Sequence, residues 1–503
     1  MDQWRGDSLS ALGHPVLSTP ALDRLAASGV LFSNHWANAA PCGPSRACLY
    51  TGTYLFHNRS VANGTPLDAR FTNIALLARA IGYDPVLFGY TDTSVDPATV
   101  APDDARLRSY EQVLPGFRAV VHDPFEQGSP AWGRWLESKG VEVPANPHDL
   151  YLPAEGFLGA ESHGSTWAPT RFRSEHSQSV FITDAVIDYL KEHAEEGFFV
   201  HASFIRPHPP RRNPEGYHDL YDVEDLPDFV GEEDFEVEAS AHPLNDIAMR
   251  LAVVGSPLDQ RERKQMRATY HGAQREVDDQ LARLFDYLKA SGLDRDTLVV
   301  VTSDHGEMGG DHWLFEKLGY WDESFHVPLI VVDPSASATA GTVVDAFTEA
   351  VDVLPTLCDW LGLPIPLQAD GFSLVPFLQT GLTPQHWRSS AHFEWDFRSW
   401  RDRFGGLFSK MPLDHCSLVV QRARDVKYVQ FAADIEILPP LIFDLDADPR
   451  QLHNLWSETG GAKLAFEATR ELLQWRMRFN ERGYSSHLLT AAHGLVVGSD
   501  TWR

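Results

Sequence analysis

Basic residues are scarce in this 503-residue chain: 42 Lys and Arg stand against 70 Asp and Glu, a formal charge of −28. A field of that sign repels polyanions, which argues against nucleic acid and anionic membranes as partners. It repels a small anionic substrate too, unless the site itself is locally cationic. Long apolar runs are also lacking. No stretch approaches the ~20 residues that a membrane span needs, and no basic, apolar leader opens the chain. A cytoplasmic protein without membrane association is the expectation. Cysteine is sparse: Cys42, Cys48, Cys358 and Cys416 are too few and too scattered for a disulfide framework or a zinc knuckle. No internal repeat or low-complexity segment is evident. What is present, 43% hydrophobic and 22% charged residues, suits a globular enzyme large enough for more than one domain.

Apolar runs that end in polar residues organise the chain. Thr297 to Thr302 is rich in β-branched residues and runs into Ser303-Asp304-His305-Gly306-Glu307. Before it, Met266 to Ser291 carries Val277, Leu281, Leu284, Phe285 and Leu288 at helical spacing. A helix feeding a buried parallel strand is the grammar of an α/β domain, whose ligands sit beyond the carboxyl ends of the strands. The same grammar predicts a helix over 180–192 and a strand over 198–204 that leads into Arg206-Pro207-His208-Pro209-Pro210. It predicts a strand over 327–332 and a helix over 351–363. After about residue 385 the pattern changes to short strands at 417–423, 426–431 and 441–445 and a helix at 462–482. The reading is an α/β catalytic domain over 1–385 and an α+β subdomain over 386–503, with a tail after Gly483 that is loose or serves subunit contacts.

The most informative segment is Cys42-Gly43-Pro44-Ser45-Arg46, continued by Thr51-Gly52. It resembles the C-x-P-S-R-x-x-x-x-T-G signature of sulfatases, members of the alkaline phosphatase superfamily. The resemblance implies that a formylglycine-generating maturation enzyme oxidises Cys42 to an aldehyde whose hydrate is the nucleophile. The chemistry is sound, because a divalent cation lowers the pKa of a bound oxygen from ~16 toward ~7.

The resemblance spans nearly the whole chain. It implies an alkaline-phosphatase-like, mostly parallel sheet flanked by helices, and one divalent metal held by Asp2, Asp304, His305 and the matured Cys42. Carboxylate and imidazole ligands suit Mn²⁺ first, with Ca²⁺ or Zn²⁺ as alternatives. Arg46, one helical turn past Cys42, would hold the nucleophile. Lys317 and His208 match a substrate-facing lysine and a strand-end histidine, and His208 is a candidate general acid.

Ordinary sulfatases carry a sulfate-binding Lys and His where this chain has Tyr90 and Asp92. Together with Gln3 beside Asp2, Asn63 after the signature and Arg206 to Pro210, that difference resembles the phosphonate monoester hydrolase and phosphodiesterase branch. The candidate substrate-binding residues are Gln3, Asn63, Tyr90 and Asp92. Asp92 departs from the branch, and a carboxylate there opposes an anionic substrate. Trp132, Trp135, Tyr151 and Trp167 are candidate lining for a leaving-group pocket. Arylsulfatase activity is the alternative reading. A homo-oligomer, dimer or tetramer, is implied by resemblance.

One feature works against activity. The family has an apolar strand ahead of its first Asp, whereas Asp2 is the second residue here, on what is expected to be a fraying terminus. A catalytically disabled, anion-binding homologue is therefore a reading of another class. The intact set Cys42, Pro44, Arg46, Asp304, His305 and Lys317 favours the enzyme.

Overall fold

A computed structural model describes residues 1–406, 408–480, 485, 487–492 and 494–497. The strands are, in chain order, β1 (Val30–Trp36), β2 (Ala39–Ala40), β3 (Pro85–Gly89), β4 (Arg118–His122), β5 (Phe199–Ala202), β6 (Val299–Thr302), β7 (His326–Val332), β8 (Thr342–Val344), β9 (Thr348–Glu349), β10 (Ser390–Asp396), β11 (Ser417–Ala423), β12 (Val426–Phe431), β13 (Leu441–Asp444), β14 (His487–Thr490) and β15 (Gly494–Val497). Five helices bear on the argument: α1 (Cys42–Thr51), α2 (Gln178–His193), α3 (Gln260–Ser291), α4 (Val353–Trp360) and α5 (Gly461–Arg478). The fold is α/β with a C-terminal subdomain, as the sequence predicts.

Two sheets form the larger layer. One runs β6-β7-β1-β8, with β9 also on β1, and the other runs β4-β3-β5. The pairs β1/β8, β1/β9, β3/β4 and β3/β5 are parallel. The exception is β7, antiparallel to both β1 and β6, so the strand at 327–332 does not belong to a parallel βαβ unit. α3 shows why these helices form. The Asp259 carboxylate accepts the Glu262 N–H, and Gly292 ends the helix at a φ of 76°, a left-handed conformation that glycine adopts without steric cost. Its Val277, Leu281 and Leu288 are buried against Val86, Phe88 and Val186, which joins α2, α3 and β3 in one core.

The edges of β5 and β6 face each other unpaired across a channel of about 440 Å³. Phe199, Val200 and Val300 line it from the strands, Leu284 from α3 and Leu357 from α4. Met1 and Asp2 bridge one end of it. The Met1 ammonium donates to the Thr302 carbonyl at 2.9 Å and the Asp2 N–H donates to the Phe204 carbonyl at 2.9 Å. The channel adjoins Met1 and Asp2, beside the place where the sequence reading expects a strand ahead of Asp2.

The third sheet, β13-β12-β11-β10-β2, carries α5 on one face. Its strand β2 comes from residues 39–40 and pairs in parallel with Glu394 and Trp395 of β10. The C-terminal layer is thereby joined to the turn that leads into Cys42. Gly483 lies outside the described residues, and the described part of the tail forms the hairpin β14–β15, with Leu488, Leu489 and Leu495 exposed. Among the described residues, no helix is long and apolar enough to cross a membrane.

Candidate active site

Cys42 is the first residue of α1, a helix buried on every face. Its Sγ is 3.1 Å from Nε2 of His305 and 4.0 Å from Oδ1 of Asp2. His305 follows β6, and its Nδ1 is 3.0 Å from the Gly306 carbonyl. A carbonyl only accepts, so Nδ1 carries a proton and Nε2 is the ring atom that faces the cluster. The ligand atoms of Asp2, Cys42, Asp304 and His305 all lie within 4.8 Å of one another. Two carboxylates, the Nε2 of an imidazole and a fourth position at Cys42 fit a divalent cation of borderline hardness. Asp2 is 1% exposed and held at backbone and side chain, although its position in the sequence suggests a fraying terminus.

Arg46 organises the carboxylates. Its Nη2 donates to Asp2 Oδ2 at 3.0 Å, its Nε to Asp304 Oδ2 at 3.0 Å and its Nη1 to Ser203 Oγ at 3.0 Å. The Tyr90 hydroxyl donates to the same Asp2 oxygen at 2.6 Å, and the Tyr90 ring lies 4.5 Å from the guanidinium carbon. Burial alone would raise the pKa of Asp2, but His208, Arg46, His305 and Lys317 together hold it well below the usual carboxylate range. The Cys42 thiol is pushed far up by burial and by Asp2. Unmodified and without a cation, it is no thiolate nucleophile.

The remaining predicted residues surround this cluster. Lys317 donates from Nζ to Gln3 Oε1 at 2.7 Å and to Glu316 Oε2 at 3.4 Å. Burial opposes its charge, but Cys42, Glu316 and Asp2 outweigh burial and keep the ammonium protonated. Gln3 is fully buried with a φ of 68°, and its amide nitrogen donates to Glu307 and Glu316. Asn63 accepts the Gly43 N–H at 2.9 Å and so fixes the turn beside Cys42. His208 keeps its Nδ1 2.8 Å from the Pro209 carbonyl and stands within electrostatic reach of Asp2 and Lys317. Burial brings its pKa down to about 4. Asp92 has its Oδ2 3.5 Å from Arg46 Nε, and burial raises its pKa to about 7.

Several contributors escaped the sequence reading. Ser45 donates to the Asp304 carbonyl, Ser203 receives Arg46, and Glu307 and Glu316 share Arg211 at 3.2 and 2.6 Å. Glu307 ends the Ser-Asp-His-Gly-Glu run, and Arg211 directly follows Pro210, so proximity in sequence was the available signal. The aromatic residues pack mainly among other rings. Trp132 and Tyr151 pack on Phe172 in the core, Trp135 lies against Phe181 and Trp167 stacks on His163.

Known proteins resemble the chain throughout its length. The sulfatase family model matches residues 1–363, and that of the C-terminal part of N-sulphoglucosamine sulphohydrolase matches residues 310–478. The multifunctional alkaline phosphatase superfamily protein PehA of Trinickia caryophylli is 40% identical, covering 99% of this chain and 98% of its own. The crystal structure of the phosphonate monoester hydrolase of Agrobacterium radiobacter superposes with a TM-score of 0.91 at 40% identity, covering 99% of this chain and 98% of that one. The phosphonate monoester hydrolase from Silicibacter pomeroyi gives 0.90 at 34% identity, over 99% and 97%.

Proposed function

The chain belongs to the sulfatase family and is an ester-bond hydrolase, and from that premise we propose that it cleaves phosphonate monoesters and phosphodiesters, with sulfate ester hydrolysis as a side activity. The observation that carries this reading is the buried convergence of Asp2, Cys42, Asp304 and His305. Enzymes of the sulfatase family use a metal ion and a formylglycine. Here the ion we propose is Mn²⁺, with Ca²⁺ or Zn²⁺ as alternatives, and the formylglycine is residue 42 after the action of a maturation enzyme. Together those two groups supply an oxygen nucleophile of lowered pKa.

The chain's own residues then have these roles. Arg46 orients Asp2 and Asp304 and helps keep Asp2 ionised. Lys317, held charged by its acidic neighbours, neutralises the non-bridging oxygens of the tetrahedral centre. Neutral His208 offers Nε2 as an acceptor; an arriving anion raises its proton affinity, which fits it to take a proton and give it to the leaving oxygen. Asn63, Gln3 and Tyr90 act by holding Gly43, Lys317 and Asp2, their hydrogen-bonded neighbours. A homo-oligomer is supported by the exposed Leu488, Leu489 and Leu495 of the hairpin, which is marginal in water by itself.

The test is co-expression with a formylglycine-generating enzyme, peptide mass spectrometry across Cys42, and turnover of aryl phosphonate monoesters, phosphodiesters and sulfate esters. An aldehyde at position 42, with phosphonate monoesters and phosphodiesters turned over faster than sulfates and no turnover by Cys42→Ala, is the expected result. An unmodified Cys42 in an active enzyme would sink the formylglycine mechanism, and a sulfate preference would make the enzyme an arylsulfatase.

A further inference from the structure

The carboxylate of Asp92 is a buried charge that no role above absorbs. Its side chain is 4% exposed, and among the described residues no hydrogen bond reaches it. Its nearest cation is Arg46, yet the Nε that lies 3.5 Å away already donates to Asp304 at 3.0 Å. Arg46 is therefore shared by three carboxylates and balances Asp92 only in part.

The backbone holds Asp92 there. Its φ of 48° is in the left-handed region, which Asp tolerates better than most residues. On either side the loop is tied down: the Leu114 N–H donates to Thr91 Oγ1 at 2.9 Å and the Gln112 N–H to the Thr93 carbonyl at 3.1 Å. A Cβ built on Gly43 would meet the Asp92 carbonyl at 3.3 Å, so the loop abuts the turn beside Cys42. The groups that act on Asp92 electrostatically are Arg46, Asp2, Asp304 and Lys317. Glu111, a second buried carboxyl, is also within electrostatic reach of Asp92.

Resting on the hydrolase reading above, we infer that Asp92 sets the charge selectivity of the site, favouring tetrahedral anions with one negative charge over those with two. Whatever the sum over the other groups, Asp92 when ionised subtracts one charge from it. Beside a dianion the carboxylate either stays ionised and repels the second charge, or takes up a proton at a free-energy cost. Both routes penalise a phosphate monoester relative to a phosphonate monoester, a phosphodiester or a sulfate ester, each of which brings a single charge.

The experiment pairs methanesulfonate with methylphosphonate, which share a shape and are not cleaved. Their dissociation constants are measured by calorimetry on the metal-reconstituted full chain at a pH of about 8.5, where most of the phosphonate carries two charges. Asp92→Asn keeps the shape and the tolerance of a left-handed backbone, and it is expected to shift the affinity ratio toward methylphosphonate on the order of tenfold. Asp92→Glu, which keeps the charge, is expected to leave the ratio near that of the parent. In turnover, Asp92→Asn raises the kcat/KM of a phosphate monoester relative to that of a phosphonate monoester. A ratio in Asp92→Asn within about twofold of the parent overturns the inference, as does an equal shift in Asp92→Glu, which would mean that shape matters and charge does not. A chain that turns over no ester but still shows the shifted ratio overturns the hydrolase reading and leaves charge selection standing.

Discussion

The Cys42 sulfur lies 3.1 Å from Nε2 of His305, although 263 positions separate the two residues. They meet because the start of α1 and the end of β6 open into one pocket, where Arg46, one turn after Cys42, fastens Asp2 and Asp304 on either side. The pocket is a set of mutually dependent charges, and its dependence on each of them is measurable.

Arg46 donates to two buried carboxylates, Asp2 and Asp304, and lies 3.5 Å from a third, Asp92, so Arg46→Ala leaves the three without the guanidinium between them. The expected loss of stability in chelator-treated protein is ~3–5 kcal/mol, read from urea unfolding. Saturating metal should recover part of that loss, because a cation replaces the missing positive charge. Equal losses with and without metal would refute the arrangement.

A divalent cation added to chelator-stripped protein should raise Tm, since it binds the folded cluster and not the unfolded chain. At a concentration about 100 times Kd the stabilisation is ~2.7 kcal/mol. In Asp304→Asn or His305→Ala the rise should shrink to near zero at the same concentration. A Tm rise of parental size in both variants would remove these residues from the ligand set.

Acid should weaken the fold through histidines that are buried neutral. His242 caps the helix Pro243–Met249, accepting the Leu244 N–H at Nδ1 while its Nε2 approaches the Pro439 carbonyl at 3.0 Å. Burial lowers its pKa from 6.5 to about 4. Between those values the unfolded chain binds more protons than the folded one, so stability declines as the pH drops from about 6.5 toward 4. His242→Asn retains a capping group and should flatten the decline in urea midpoint between neutral and mildly acidic buffer. An unchanged decline would assign the acid sensitivity to other groups.

The channel between β5 and β6 offers two unpaired strand edges and apolar walls. An extension of about six Val- and Ile-rich residues, appended ahead of Met1, has the length of a typical strand and should enter it parallel to both neighbours. The outcome would be a raised Tm, slower amide exchange at Val200 and Val300, and tighter metal binding through a steadier Asp2. A polar extension of equal length is the control, and equal behaviour of the two would mean that the channel takes no strand.

The sequence by itself determined the candidate nucleophile segment, the metal-ligand candidates and most element positions, because these are local facts. C-x-P-S-R is a contiguous signature, β-branched runs ending in Ser303-Asp304-His305 are strands with a site at their end, and the strands at Ser417–Ala423 and Val426–Phe431 lie where their composition puts them. Only the tertiary structure decided what depends on closure. Strand direction is one case, since an apolar run such as Val327 to Val332 reads the same in a parallel or an antiparallel ladder. Asp2 is another: nothing beside it in sequence would hold it, and its order comes from Phe204, Arg46 and Tyr90, brought in by distant segments. Residues such as Ser45, Ser203 and Glu316 carry no pattern at all, because a serine or a glutamate gains its role only from the partner that the fold sets within hydrogen-bonding distance.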